Sequence, residues 1–213
     1  MKKIVLGTLS LAALALVSCG GNHADESHAT EDHAAHAEGH DEAVTEENYS
    51  VDVAASTVHW KGEVAGVYGH EGVIALKSGS HTVKGDQITG GEFVVDMTTI
   101  TPQDSGYSEE NPPSKLVGHL GTDDFFAIDK HPTSKFVVTS ATDKEIKGTL
   151  TVRGKSNEET VQISSMEVTE NGVKATGKLV FDRQKYDVAW VHYMKDMVLS
   201  DDITLDLEIV AKK

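Results

Sequence analysis

Two pairs of adjacent carboxylates are the first group of residues that could do chemistry. Asp123 precedes Asp124, and Asp201 precedes Asp202. General acid and base catalysis needs two such groups in one pocket with separated pKa values. Neighbouring residues of a strand point to opposite faces, so these pairs favour solvated turns over a catalytic dyad.

Histidines are the second group of candidates. His70 and Glu71 begin like the helix of a zinc protease, but Ile74 stands where the second histidine is required. The chain also lacks a phosphate-binding loop, a dinucleotide fingerprint and a nucleophile elbow. No activated nucleophile is visible either, so a lipid hydrolase is disfavoured and the chain is predicted not to be an enzyme. The remaining histidines of the folded part are scattered, at His119, His131 and His192.

Cys19 is the only cysteine, so a disulfide or a thiolate metal site within one molecule is excluded. Lys2, Lys3 and the short apolar stretch 4–17 before it are typical of a secretory signal. The end of that stretch, Leu-Val-Ser-Cys, resembles the lipobox of bacterial lipoproteins, which implies a diacylglycerol-modified Cys19. We expect residues 1–18 to be the signal peptide and Cys19 to be the membrane anchor. The alternative is a buried or stray thiol.

Residues 19–48 are rich in His, Ala, Asp and Glu and contain no aromatic residue before Tyr49. Such a segment cannot bury enough apolar area to offset its ordering entropy, so a disordered tether is predicted. His33, His36 and His40 could instead meet one Zn²⁺ or Cu²⁺ ion, which would make the protein a metal buffer. Composition alone favours the disordered tether over the metal site.

The formal charge of −15 argues against nucleic acid as a partner and against direct adhesion to anionic headgroups.

Residues 49–213 are long enough for one domain with its own core. Short runs of β-branched and aromatic residues, broken by Gly, Asn, Asp and Pro, predict antiparallel strands. The alternation is clearest where Ile203, Leu205, Leu207 and Ile209 share one face. Two further alternating runs are Val58, Trp60, Val64 and Val173, Ala175, Leu179, Phe181, and Glu170–Gly172 predicts a hairpin turn.

One short helix is predicted from Pro112 to Leu120, with Asn111 as its cap and Gly121 closing it. About eight antiparallel strands can close into a barrel that removes its edges and holds one small ligand. The predicted fold is therefore all-β, a single antiparallel barrel with one short helix.

The stretch from His119 to Phe136, HLGTDDFFAIDKHPTSKF, resembles the most recognisable motif of the YceI-like family. The family's later segments follow in the expected order at residues 148–163 and 181–188. The earlier segments HWKG and GGEFVVDM resemble the lipoprotein branch of the same family. The resemblance covers nearly all of residues 49–213. Gly121, His131 and Asp187 depart from the family pattern, and the last stands where a glycine is usual.

The resemblance implies a lipocalin-like barrel that binds a polyisoprenoid or related long-chain lipid. Inward aromatic and aliphatic side chains would line it, or would simply fill a solid core. His119 and Arg153 would hydrogen-bond a headgroup or fix loops, and Phe125 and Phe126 could not both face inward on a strand. The candidate ligand-binding residues are Trp60, Phe93, Val95, Met97, His119, Phe125, Phe126, Phe136, Leu150, Val152, Arg153, Leu179, Phe181 and Leu205.

These observations predict a lipid-anchored protein of the bacterial envelope that sequesters or transports a long apolar molecule without bond chemistry. A polyisoprenoid, a quinone or a fatty amide or acid fits this prediction, and no cofactor is expected. The resemblance also suggests the outer membrane and a homodimer.

Overall fold

The computed structural model describes residues 45–65, 67–85, 87–191, 194 and 197–213. The predicted signal peptide, Cys19, the histidines of the predicted tether and His192 lie outside these residues. The described chain forms one α-helix, α1 (Pro113–Gly121), and eleven strands: β1 (Glu46–Val51), β2 (Thr57–Val64), β3 (Tyr68–Ile74), β4 (Leu76–Lys84), β5 (Gln87–Asp96), β6 (Thr101–Pro102), β7 (Thr133–Ala141), β8 (Glu145–Val152), β9 (Lys155–Thr169), β10 (Gly172–Asp182) and β11 (Asp202–Lys212).

The strands close into an eight-stranded antiparallel barrel. Two pairs of strands each act as one bent stave: β1 continues into β2, and β3 continues into β4 across Ala75. β1 pairs with β4 while β2 pairs with β3, and both halves of the first stave pair with β11. The ring then runs from β4 through β5, β7, β8, β9 and β10 back to β11, which confirms the predicted fold class.

Alternation of side chains along β11 explains its place in the wall. Ile203, Leu205, Leu207 and Ile209 face the interior, whereas Asp206 and Glu208 are exposed. β10 pairs with β11 over its whole length, with Phe181 opposite Ile203. β9 and β10 are joined by the two residues Glu170 and Asn171, as the turn signal predicted.

The two ends of the barrel differ. The connections β2–β3, β5–β7, β8–β9 and β10–β11 must all lie at one end, because the strands alternate in direction; this is the open end. The opposite, closed end holds the beginning of β1 and the last residue of β11. A compact cluster of buried side chains plugs it: Tyr49, Val83, Ile88, Val138, Val173 and Ala211.

Helix α1 lies in the long β5–β7 connection, where one short helix was predicted, but its caps differ from the prediction. Pro112 is the N-cap and makes no side-chain capping bond, and Gly121 is the last helical residue. The Oδ1 atom of Asn111 lies 3.5 Å from Lys115 Nζ. Thr122 ends the helix by donating its backbone N–H and its hydroxyl to the carbonyl of His119. Within the described residues, no helix is long and apolar enough to cross a membrane.

Candidate ligand-binding cavity

The barrel interior is hollow between the open end and the plug. A cavity of about 310 Å³ extends from α1 down to the level of Ala175 and Ile209, so the alternative of a solid core does not hold for this upper part. Its volume is at the lower end of the range for small-molecule sites. Thirteen of the predicted residues line it: Trp60, Phe93, Val95, Met97, His119, Phe125, Phe126, Phe136, Leu150, Val152, Leu179, Phe181 and Leu205.

Strand alternation puts these side chains inside. On β2, Val58, Trp60, Gly62 and Val64 all line the cavity, while the intervening Lys61 is exposed. The same period of two holds for Phe93 and Val95 on β5, for Leu150 and Val152 on β8, and for Leu179 and Phe181 on β10. On parts of β2, β3, β7 and β10, in contrast, neighbouring residues both line the cavity. The lining is therefore almost entirely hydrocarbon, and what it can do is remove an apolar chain from water.

An aromatic cluster lies at the open end. His119 of α1 contacts the ring edges of Phe125 and Trp190, with ring centroids 5.0 and 4.9 Å apart. Phe125 and Trp190 are themselves 5.7 Å apart. Three separate segments, the helix, the turn after it and the β10–β11 connection, thus meet over the cavity.

Phe125 and Phe126 both line the cavity, although the strand argument allowed only one of them to face inward. The argument was wrong about the backbone: residues 123–126 form a turn after α1, not a strand. The N–H of Phe125 bonds to the carbonyl of Thr122 and that of Phe126 to the carbonyl of Leu120. A turn can present two successive rings to one side.

Arg153 lies outside the cavity lining. Its guanidinium donates hydrogen bonds to the backbone carbonyls of Asp123 and Asp187. It therefore ties the turn after α1 and the β10–β11 connection to the β8–β9 turn, which is the loop-fixing alternative. Arg153 and Gly154 have φ values of 50° and 74°, as a two-residue hairpin turn of the right twist requires.

Arg183 is a structural residue that the sequence reasoning missed. It is 2% exposed, and its guanidinium donates to the carbonyls of Val188 (2.5 Å), Trp190 (3.1 Å) and Ser200 (2.9 Å), and to the Asp201 carboxylate (3.1 Å). Burial lowers its pKa, but a guanidinium stays charged in proteins. The buried cation thereby holds the loop that carries Trp190 over the cavity.

Phe136 shapes the middle of the cavity by lying over Gly148. A Cβ atom at position 148 would meet Phe136 Cζ at 2.4 Å and the carbonyl oxygen of Val137 at 2.5 Å. Glycine is required here because the ring and the neighbouring backbone occupy the space of a side chain.

His81 closes the floor beneath the cavity. Its ring is 3% exposed and stacks between Tyr49 and Phe93, at centroid distances of 5.4 and 6.3 Å. Neither ring nitrogen has a hydrogen-bond partner among the described residues. Burial lowers the pKa of His81, so the imidazole is neutral in the plug.

One member of each carboxylate pair has a structural partner. Asp123 accepts a hydrogen bond from Lys130 at 2.6 Å, and Asp201 binds Arg183.

Over the described ranges, no three His, Cys, Asp or Glu side chains come together as a metal site would require. His33, His36 and His40 lie outside those ranges, so their metal binding stays a prediction.

Comparison with known proteins agrees with the geometry. The family model described as a YceI-like domain matches residues 49–211. A UPF0312 protein of Staphylococcus aureus strain USA300 is 34% identical over 76 residues, which are 33% of this chain and 44% of the relative. The match thus spans less than half of that curated relative.

Two solved structures share the fold. BcnA of Burkholderia cenocepacia superposes with a TM-score of 0.57 at 17% identity, over 76% of this chain and 99% of that one. A polyisoprenoid binding domain from Saccharophagus degradans superposes with a TM-score of 0.51 at 12% identity, over 77% and 97% of the two chains. The match to the family model begins at residue 49, where the sequence analysis places the start of the folded domain. In the structure the first strand, β1, already begins at Glu46.

Proposed function

The chain belongs to the YceI-like family, and from that premise we propose that its barrel binds one long-chain apolar molecule and holds it away from water. The observation that carries the proposal is the hydrocarbon-lined cavity of about 310 Å³, open at the helix end and plugged at the other. Binding of this kind rests on desolvation and shape, and no bond is made or broken.

The ligand class follows from the lining and from the energetics. Each buried CH₂ group contributes about 0.8 kcal/mol, while association costs roughly 4–15 kcal/mol, so a short chain would bind weakly. A polyisoprenoid, an isoprenoid quinone or a fatty amide or acid has enough carbon to exceed this cost. The likeness to the Saccharophagus protein, a polyisoprenoid binding domain, supports the first of these.

We further propose that acylated Cys19 anchors the protein in the bacterial envelope, at the outer membrane, and that barrels pair as homodimers. Sequence resemblance supports the anchor.

The experiment for ligand binding compares delipidated protein with protein reloaded with a long-chain isoprenoid alcohol. At a free ligand concentration of 100 times Kd, the folded state gains about 2.7 kcal/mol, which raises Tm by roughly 5–11 °C in a domain of this size. An unchanged Tm at every ligand concentration would count against the proposal.

The anchor has its own test. Cells fed a labelled fatty acid should label the wild-type chain and leave Cys19→Ala unlabelled. Equal labelling of both would reject Cys19 as the acylated residue.

A further inference from the structure

A polar cluster of His70, Asp104 and Tyr107 lies beside the open end of the cavity. His70 Nδ1 is 3.2 and 3.3 Å from the two oxygens of the Asp104 carboxylate. The Tyr107 hydroxyl donates to Asp104 Oδ2 at 2.7 Å, and the N–H groups of Glu71 and Gly106 donate to the same carboxylate. The Tyr107 ring stacks on the His70 imidazole, with centroids 5.3 Å apart.

These contacts fix the state of each group. Burial raises the pKa of Asp104, but hydrogen bonds from Tyr107, Gly106, His70 and Glu71 outweigh it, and the net pKa is lowered. Burial and the bond to Asp104 raise the pKa of Tyr107, which therefore remains a phenol. An ionised Asp104 only accepts, so Nδ1 of His70 must carry the hydrogen that points to it.

The hydrogen bonds of His70 within the described residues all involve Nδ1, so its other ring nitrogen is left for a ligand. In a neutral imidazole whose Nδ1 is protonated, Nε2 is a hydrogen-bond acceptor. The His70 side chain lines the cavity and is 26% exposed, whereas the Asp104 side chain beneath it is 13% exposed. An oriented acceptor at the edge of a hydrocarbon cavity is suited to the polar end of an apolar chain.

The charges nearby select the kind of head group. The loop after β6 that carries Asp104 also carries Glu109 and Glu110 and has no basic residue before Lys115. Glu63, which lines the same end of the cavity, is paired with Lys61 at 2.7 Å. Lys135, a described basic residue that also lines the cavity, is paired with Glu92 at 3.3 Å. Among the described residues, a carboxylate or phosphate head would therefore approach carboxylates whose neighbouring lysines are already paired.

We propose that His70, oriented by Asp104 and Tyr107, accepts a hydrogen bond from an uncharged hydroxyl or amide head group of the bound chain. The inference rests on the proposed function and narrows it, because it excludes fatty acids and lipid phosphates as preferred ligands. Asp104 and Tyr107 are positioning residues, since they act through the imidazole.

The test uses three ligands that share one tail, namely farnesol, its methyl ether and farnesyl phosphate, and measures their binding to the mature full chain at pH 8. One hydrogen bond predicts that farnesol binds about 2- to 13-fold more tightly than the ether, which cannot donate. The phosphate should bind more weakly than farnesol. Wild-type protein that binds the alcohol and the ether equally, or prefers the phosphate, would overturn the inference.

His70→Phe removes the acceptor and keeps a ring against Tyr107, so the alcohol and the ether should bind it equally. His59→Phe is the matched control, because His59 lies on the neighbouring strand β2 but does not line the cavity, and it should keep the preference. A preference that survives His70→Phe would refute the role of His70. If none of the three ligands bound the wild-type protein, the proposed function would fail together with this inference, whereas equal binding of all three would leave the proposed function intact.

A second measurement needs no substitution. In protein with ¹⁵N-labelled histidine, farnesol should shift the Nε2 resonance of His70 and the methyl ether should leave it unchanged. Identical spectra with the two ligands would contradict the hydrogen bond even if every variant failed to fold.

Discussion

The depth of the cavity predicts how affinity depends on ligand chain length. Along β11 the inward residues that line it run from Ile203 to Ile209, a path of about 20 Å at 3.3 Å per residue. A strand tilt of about 40° reduces this to a depth of roughly 15 Å along the barrel axis. A zigzag of 1.5 Å bonds advances about 1.25 Å per carbon, so roughly twelve extended carbons fill the cavity.

Each of those carbons should contribute about 0.8 kcal/mol, or a factor of about four in Kd. In a series of straight-chain alcohols from eight to sixteen carbons, measured by displacement of a fluorescent probe, Kd should fall about 250-fold between eight and twelve carbons and then level off. Carbons beyond the floor have to remain outside or bend, so they add little. A constant slope to sixteen carbons, or no slope at all, would refute the cavity as the site.

Ala175→Trp tests the position of the floor. Ala175 lies opposite Ile209 at the bottom of the cavity, and an indole there should move the break to roughly eight carbons. Val180→Trp is the matched control, because Val180 is on the same strand with its side chain outside and 45% exposed. A break that moves in both variants, or in neither, would show that the floor is placed wrongly.

Three substitutions test other parts of the account. Gly148→Ala should lower the unfolding free energy by about 1–3 kcal/mol, because the added methyl group overpacks against Phe136, and it should weaken ligand binding. Gly118→Ala is the control, because a Cβ atom there meets nothing within 4 Å, and it should neither destabilise the protein nor weaken binding. Urea denaturation measures the stability of both variants, and equal losses would contradict the packing argument. Burial lowers the pKa of His81, so below about pH 6.5 the unfolded state binds a proton that the folded state lacks. The stability of the protein should therefore fall as the pH drops from 7 to 5. His81→Phe should make Tm depend less on pH over this range. Asp187 has φ 58°, so Asp187→Gly should raise unfolding free energy by about 0.5–1 kcal/mol in urea titrations, and a decrease would show that its exposed ion pair with Lys155 matters more than the backbone.

Much of the cavity lining was predictable because a strand has a period of two. Once β2, β10 and β11 were identified, the apolar members of each alternating run had to face the interior. The turn at Asn171 and the existence of the helix followed from local signals of the same kind. The departure at Asp187 also has a local explanation, because the left-handed backbone there accounts for the glycine usual at that position.

Features made by distant residues were not predictable. His70 and Asp104 are far apart in sequence and meet only because β6 pairs with the edge of β3. The role of Arg183 depends on carbonyl groups of a loop with no regular pattern. The prediction that Asn111 caps the helix was wrong. Pro112 takes the N-cap position, and the Asn111 side chain lies near Lys115 instead.

Native mass spectrometry of the protein purified from its native cells, combined with solvent extraction and lipid analysis, tests the central claim most directly. The account predicts one long-chain apolar molecule per barrel in the wild-type chain and in Val180→Trp, and a lower occupancy in Ala175→Trp, whose cavity is shorter. A chain that emerges bare, and that takes up no isoprenoid alcohol when one is offered, would contradict it.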